Sequence, residues 1–212
     1  MRDDDLLLQT KNERIFPIAR LIARAFLSLL FRLRVCGEEN LPSHKAFVLL
    51  PKHQRWEDIP LLGLATPRSL YYVAKQELFV IPFFGWFLSA LGGIPLNRSS
   101  PMESRQSLRL IQELLREGEG VVVFPEGTYY RNRMGPGHAG LIRMIMSRSK
   151  VPFIPTGVRY EARKRHTEVQ IKFGRPIYRD PSVNADLLID QIMSEIARLS
   201  GYELGERTTR IK

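Results

Sequence analysis

At 212 residues, 44% of them hydrophobic and 25% charged, the chain is long enough to bury a core and too ordinary in composition to be disordered. Its one cysteine, Cys36, excludes a disulfide framework and a multi-cysteine metal site, and fits a reducing compartment. The formal charge of +10 is concentrated: from Tyr129 to Arg175 eleven Lys/Arg stand against Glu161 and Glu168, which implies an anionic partner such as a lipid surface, an acidic substrate or carrier, or nucleic acid.

The opening Met-Arg-Asp-Asp-Asp is acidic where a secretory signal is basic, so no signal peptide is expected. From Arg14 to Val35 the pattern is an amphipathic helix: Arg14, Arg20, Arg24, Ser28 and Arg32 share a narrow stripe, and Leu, Ile and Phe fill the rest. Such a helix suits the plane of an anionic membrane. Its longest central uncharged run, Ala25–Phe31, is far short of the roughly 20 apolar residues a bilayer span needs. Leu78–Leu96 carries no charge over 19 residues, but Pro82, Gly85, Gly92, Gly93 and Pro95 interrupt it. Neither stretch reads as a transmembrane helix.

Beyond Gly37 short β-rich runs alternate with helical ones. Strands are expected at Ala46–Leu50, Leu70–Ala74, Val121–Phe124, Phe153–Tyr160 and Val169–Phe173. Helices are expected at Met102–Glu117, Ala139–Arg148 and about Asn184–Leu199. The alternation predicts an α/β domain, a mostly parallel central sheet flanked by helices, over residues 37–205. An N-terminal membrane-associating segment, 1–36, would precede it, and a short tail, 206–212, would follow.

Four stretches bear chemistry. His53 and Asp58 form an H-x4-D pair directly after the strand Ala46–Leu50, at the edge where an α/β sheet presents its ligands. A turn there would let Asp58 fix the imidazole tautomer and stabilise the imidazolium when His53 takes a proton. Phe124-Pro125-Glu126-Gly127-Thr128 ends a buried strand in a carboxylate, a flexible backbone and a hydroxyl. Gly92–Arg98 closes an apolar run with an arginine suited to an anion. Val151–Pro155 is an apolar strand with two prolines. No serine or cysteine nucleophile motif, P-loop or dinucleotide fingerprint is present.

In this order and spacing the four stretches resemble the four sequence blocks of the glycerolipid acyltransferases. The resemblance runs from about Gly37 to Ile177. Its specific element is FPEGT, a string expected by chance on the order of once in ten thousand such chains. It implies acyl transfer from a thioester to a lysophospholipid hydroxyl, 1-acylglycerol-3-phosphate above all, with His53 as general base and Asp58 orienting it. It further implies that Arg98 binds the acceptor phosphate and that Glu126, Gly127 and Thr128 hold the acceptor. Pro155 would belong to the acyl-donor side. Acyl-CoA or acyl carrier protein would be the donor, with no metal and no other cofactor, on the cytoplasmic face of a membrane such as the bacterial inner membrane. Where the family has Asn before the histidine this chain has Lys52; Arg55 replaces a common Ser, Glu57 an apolar residue, and Tyr129 the arginine after FPEGT, with Arg131 and Arg133 close enough to substitute. These departures bear on the acceptor, so another lyso-lipid is an alternative. A second alternative is a catalytically inactive lipid-binding relative, against which the intact His53/Asp58 and FPEGT speak. The basic segment lacks interleaved aromatics at regular spacing and matches no nucleic-acid motif, so no nucleic-acid partner is expected.

Overall fold

A computed structural model describes residues 15–97, 100–180 and 182–204. Its centre is a seven-stranded sheet in the order β1-β7-β6-β2-β5-β3-β4. The strands are β1 (Phe31–Cys36), β2 (Phe47–Pro51), β3 (Tyr71–Lys75), β4 (Gly93–Leu96), β5 (Gly120–Val122), β6 (Phe153–Ala162) and β7 (Thr167–Phe173). The helices are α1 (Ile15–Leu30), α2 (Asp58–Ala65), α3 (Phe84–Ala90), α4 (Pro101–Arg116), α5 (Ala139–Arg148) and α6 (Ala185–Ser200). Every pairing is parallel except the β6–β7 hairpin, in which Thr156 faces Phe173 and Ala162 faces Thr167.

Side-chain alternation along the strands builds two apolar layers. Val48 and Leu50 of β2, with Val121, meet Leu108 and Ile111 of α4, Ile142 and Ile145 of α5, and Ile192 and Ile196 of α6. Phe47 and Leu49, with Val122 and Phe124, point to the other face, against Leu61, Leu62 and Ala65 of α2 and Leu27 of α1. Both faces of β2 are thus buried, which is why it reads as a continuous apolar run. Helix ends follow local chemistry. Ser100 accepts the Glu103 N–H at α4 and Asn184 accepts the Asp186 N–H at α6, while Gly201 closes α6 in a left-handed conformation at φ 70°.

The N-terminal region departs from expectation. The helix anticipated over Arg14–Val35 stops at Leu30, and Phe31–Cys36 is an edge strand whose residues alternate between half-buried and exposed. β1 lies beside β7, from Phe31 opposite Thr167 to Cys36 opposite Lys172, so the sheet extends across the boundary placed at residue 36. The arginine stripe is also divided. Arg20 donates to the Thr66 carbonyl at 2.9 Å and satisfies the end of α2, whereas Arg24 and Ser28 are exposed. α1 is anchored through Arg20, Ala23 and Leu27, and Ile18, Leu21, Ile22, Phe26 and Leu29 face outward: Leu21 is 69% and Leu29 75% exposed. No helix among the described residues is long and apolar enough to cross a membrane.

Candidate active site

β2 ends at Pro51 in the middle of the sheet, and the chain turns through Lys52–Glu57 into α2. The carboxylate of Asp58, fully buried at the start of α2, organises that turn. Its Oδ2 accepts the backbone N–H of Gln54 at 2.6 Å and of Arg55 at 2.9 Å, and lies 3.0 Å from His53 Nδ1. Its Oδ1 accepts the Tyr160 hydroxyl at 2.6 Å. With acceptor oxygens only on Asp58, Nδ1 carries the proton and Nε2 is left as the basic nitrogen. The imidazole is stacked on Phe124, with centroids 3.8 Å apart, and touched from another side by Tyr129 at 4.4 Å. Burial holds the Tyr129 phenol above its usual range, helped by the charges of Asp58 and Glu57.

A second layer lies beneath. Lys52 is fully buried and donates to both oxygens of Glu126 at 2.7 and 3.0 Å, to the His53 carbonyl at 3.0 Å and to the Tyr130 carbonyl at 2.7 Å. Glu126 also accepts the His53 N–H at 2.9 Å and the Gly135 N–H at 2.5 Å. Burial pulls the Lys52 ammonium below the usual lysine range, and Glu126 opposes that pull. Gly127 turns the chain away at φ 65°, a conformation glycine adopts freely. The Tyr130 N–H bonds the His53 carbonyl at 2.9 Å, and Gln54 Oε1 accepts the Asn132 N–H at 2.9 Å, so the loop after FPEGT is tied to the His53 turn throughout.

The anticipated residues fall in three places. His53 and Asp58 meet as the spacing predicts. Thr128 and Arg131 are exposed on the loop that also carries Tyr129 to the imidazole, with Gly127 half-buried before them. Glu126 and Pro155 are buried. Glu126 is sealed in by Lys52 and by two backbone donors, and Pro155 is buried inside β6 in register with Leu50. In the structure both occupy framework positions: one holds the loop, the other the strand beside β2. Arg98 lies outside the described residues. Sequence reasoning passed over Lys52, Gln54 and Tyr160. A charged residue closing the fully apolar Phe47–Pro51 was the available signal for Lys52; Tyr160, 102 residues from Asp58, had none. Among the described residues no three His, Cys, Asp or Glu side chains are placed to hold a metal ion. The basic run 129–175 is distributed over the loop, α5, both strands of the β6–β7 hairpin and its turn.

An α/β sheet with a His–Asp pair at the end of its central parallel strand is an arrangement that can do general-base chemistry. The chain belongs to the acyltransferase family, whose sequence model matches residues 32–159, more than half of its length. It is 34% identical over 191 residues to a chloroplastic 1-acyl-sn-glycerol-3-phosphate acyltransferase of Brassica napus, covering 85% of this chain and 54% of that one. It is 35% identical over 133 residues to the 1-acyl-sn-glycerol-3-phosphate acyltransferase of Bacillus subtilis, covering 62% and 65%. The chain thus matches between about half and two thirds of these relatives' length. Its fold is that of the 1-acyl-sn-glycerophosphate acyltransferase PlsC of Thermotoga maritima, with a TM-score of 0.71, 24% identity, and 95% of this chain and 83% of that one covered.

Proposed function

We propose that the protein transfers a fatty acyl group from a thioester to the hydroxyl of a lysophospholipid, with 1-acylglycerol-3-phosphate as acceptor and phosphatidic acid as product. The observation that carries this reading is the geometry of His53, its Nδ1 tied to the buried Asp58 and its ring clamped between Phe124 and Tyr129. Nε2 takes the proton of the acceptor hydroxyl as that oxygen attacks the thioester carbonyl. The tetrahedral adduct expels the thiolate, which takes the proton back from Nε2, so the ring returns to its starting state without a covalent enzyme intermediate. Asp58, with four donors around it, holds the tautomer and the imidazolium charge. Thr128 and Arg131 are the loop residues offered to the acceptor, and Arg98 its phosphate grip. The donor is acyl-CoA or acyl carrier protein, both acidic, drawn by the protein's positive charge. The membrane lies against the outward apolar faces of α1 and of residues 78–87, where Val80 is 75% and Phe83 88% exposed.

The test is acyl transfer from radiolabelled palmitoyl-CoA, and in parallel from acyl carrier protein, to lysophosphatidate, glycerol-3-phosphate, lysophosphatidylglycerol and a non-phosphate lyso-lipid. Label should enter phosphatidate, and His53→Ala should lower the rate about 10²–10⁴-fold without unfolding the protein. Transfer to another acceptor alone would move the substrate; a His53→Ala variant as active as the parent would overturn the mechanism.

A further inference from the structure

We infer that Tyr160 is a positioning residue of this site, the third member of a Tyr160–Asp58–His53 chain in which the phenol sets the basicity of the imidazole through the carboxylate. The inference rests on the general-base role proposed for His53. Tyr160 is the first residue beyond the segment matched by the family model and sits on β6, which continues past the end of β2. Its hydroxyl donates to Asp58 Oδ1 at 2.6 Å, while His53 Nδ1 approaches the other oxygen at 3.0 Å. The ring is held in place from two sides: the Arg55 guanidinium lies 4.5 Å from its centroid and Phe31 of β1 packs edge-on at 6.2 Å. Burial, and then the negative charge of Asp58, keep the phenol far above its usual range, so it is a permanent neutral donor.

A carboxylate that shares its charge with a phenol stabilises a neighbouring imidazolium less than one that does not. Removing the hydroxyl therefore raises the His53 pKa. The other charged and titratable groups facing this chain are Arg55 and Glu57 on the turn before α2, Lys52 at the end of β2, and Tyr129, Glu126 and Arg133 on the loop. All of them are retained in Tyr160→Phe.

General-base action needs the neutral ring, so the acid limb of the kcat/KM profile should move to higher pH in Tyr160→Phe, by about half to one unit. KM for donor and acceptor should stay unchanged. A merely structural loss would lower the rate at every pH and leave the limb in place. The direct measurement is NMR titration of isotope-labelled histidine in the full chain, with His53 assigned by its absence from His53→Gln. Tyr160→Phe should raise its pKa by the same interval, and 3-fluorotyrosine at position 160, a stronger donor of the same shape, should lower it. An unmoved His53 pKa in both folded variants would overturn the inference. The titration needs no turnover, so it separates this outcome from a failure of the acyl-transfer reading, which would appear as absent transfer to every acceptor.

Discussion

At the scale of single residues the site depends on a buried ion pair that no local pattern announces. Lys52 and Glu126 are 74 positions apart in sequence and each is inaccessible to solvent. Isolated in the interior either charge would be strongly unfavourable; paired, and with the His53, Tyr130 and Gly135 backbone groups completing their shells, they fasten the His53 turn to the FPEGT loop. Lys52→Met leaves a buried carboxylate without its cation and should cost about 3–5 kcal/mol of stability in urea unfolding. The double variant Lys52→Met/Glu126→Leu should recover part of that loss but not all, because the His53 and Gly135 N–H groups remain without an acceptor. A single variant as stable as the parent would show the pair to be dispensable. The His53–Asp58 pair was legible because five positions bridge one turn, and FPEGT because its string is rare. The burial of Glu126 was not legible, since its partner is fixed only by tertiary packing of β2 against β5.

At the scale of elements, what could be read depended on whether burial left a pattern. β2, β5, β6, α4, α5 and α6 were legible because their apolar residues fill a run or a helical face. α2 was missed because Asp-Ile-Pro-Leu-Leu-Gly-Leu-Ala has no polar face to contrast with, lying as it does between the sheet and α1. β1 was missed for the opposite reason. Phe-Arg-Leu-Arg-Val-Cys alternates with period two, but Arg32 also extends the helical arginine stripe of α1, and the longer pattern overrode the shorter. β4 was hidden by its own Gly93 and Pro95. Packing between elements makes one position sharply intolerant. At Gly157 of β6 an added Cβ would stand 2.4 Å from the Leu199 carbonyl carbon and 2.7 Å from its oxygen, both backbone atoms of α6. Gly157→Ala must push α6 off the sheet and should cost about 1–3 kcal/mol, read as a lower urea midpoint. An unchanged midpoint would mean that α6 is free to slide on β6.

At the scale of the whole molecule, two properties coexist that suit a lipid surface better than either suits bulk water: a net charge of +10 and a set of large apolar side chains left outside. On α1, Ile18, Leu21, Ile22, Phe26 and Leu29 are each more than half exposed, while Ala23 and Leu27, with the Arg20 contact, join the helix to the core. The outward face can therefore be changed without disturbing what holds the helix on the domain. Leu21→Glu/Leu29→Glu removes two buried leucines from the proposed membrane contact, each worth about 1.5–3 kcal/mol on full burial, so partitioning onto vesicles should fall at least 100-fold. The unfolding midpoint should stay within about 0.5 kcal/mol of the parent, as for other surface changes. Anionic phosphatidylglycerol vesicles should bind the parent more tightly than phosphatidylcholine vesicles, and added salt should narrow that difference as the charges are screened. Salt should not abolish binding, because the apolar contact does not depend on screening. Cosedimentation that is equally strong in the double variant would remove α1 from the contact, and with Phe83 and Trp86 also exposed would shift the membrane surface to the 78–87 stretch.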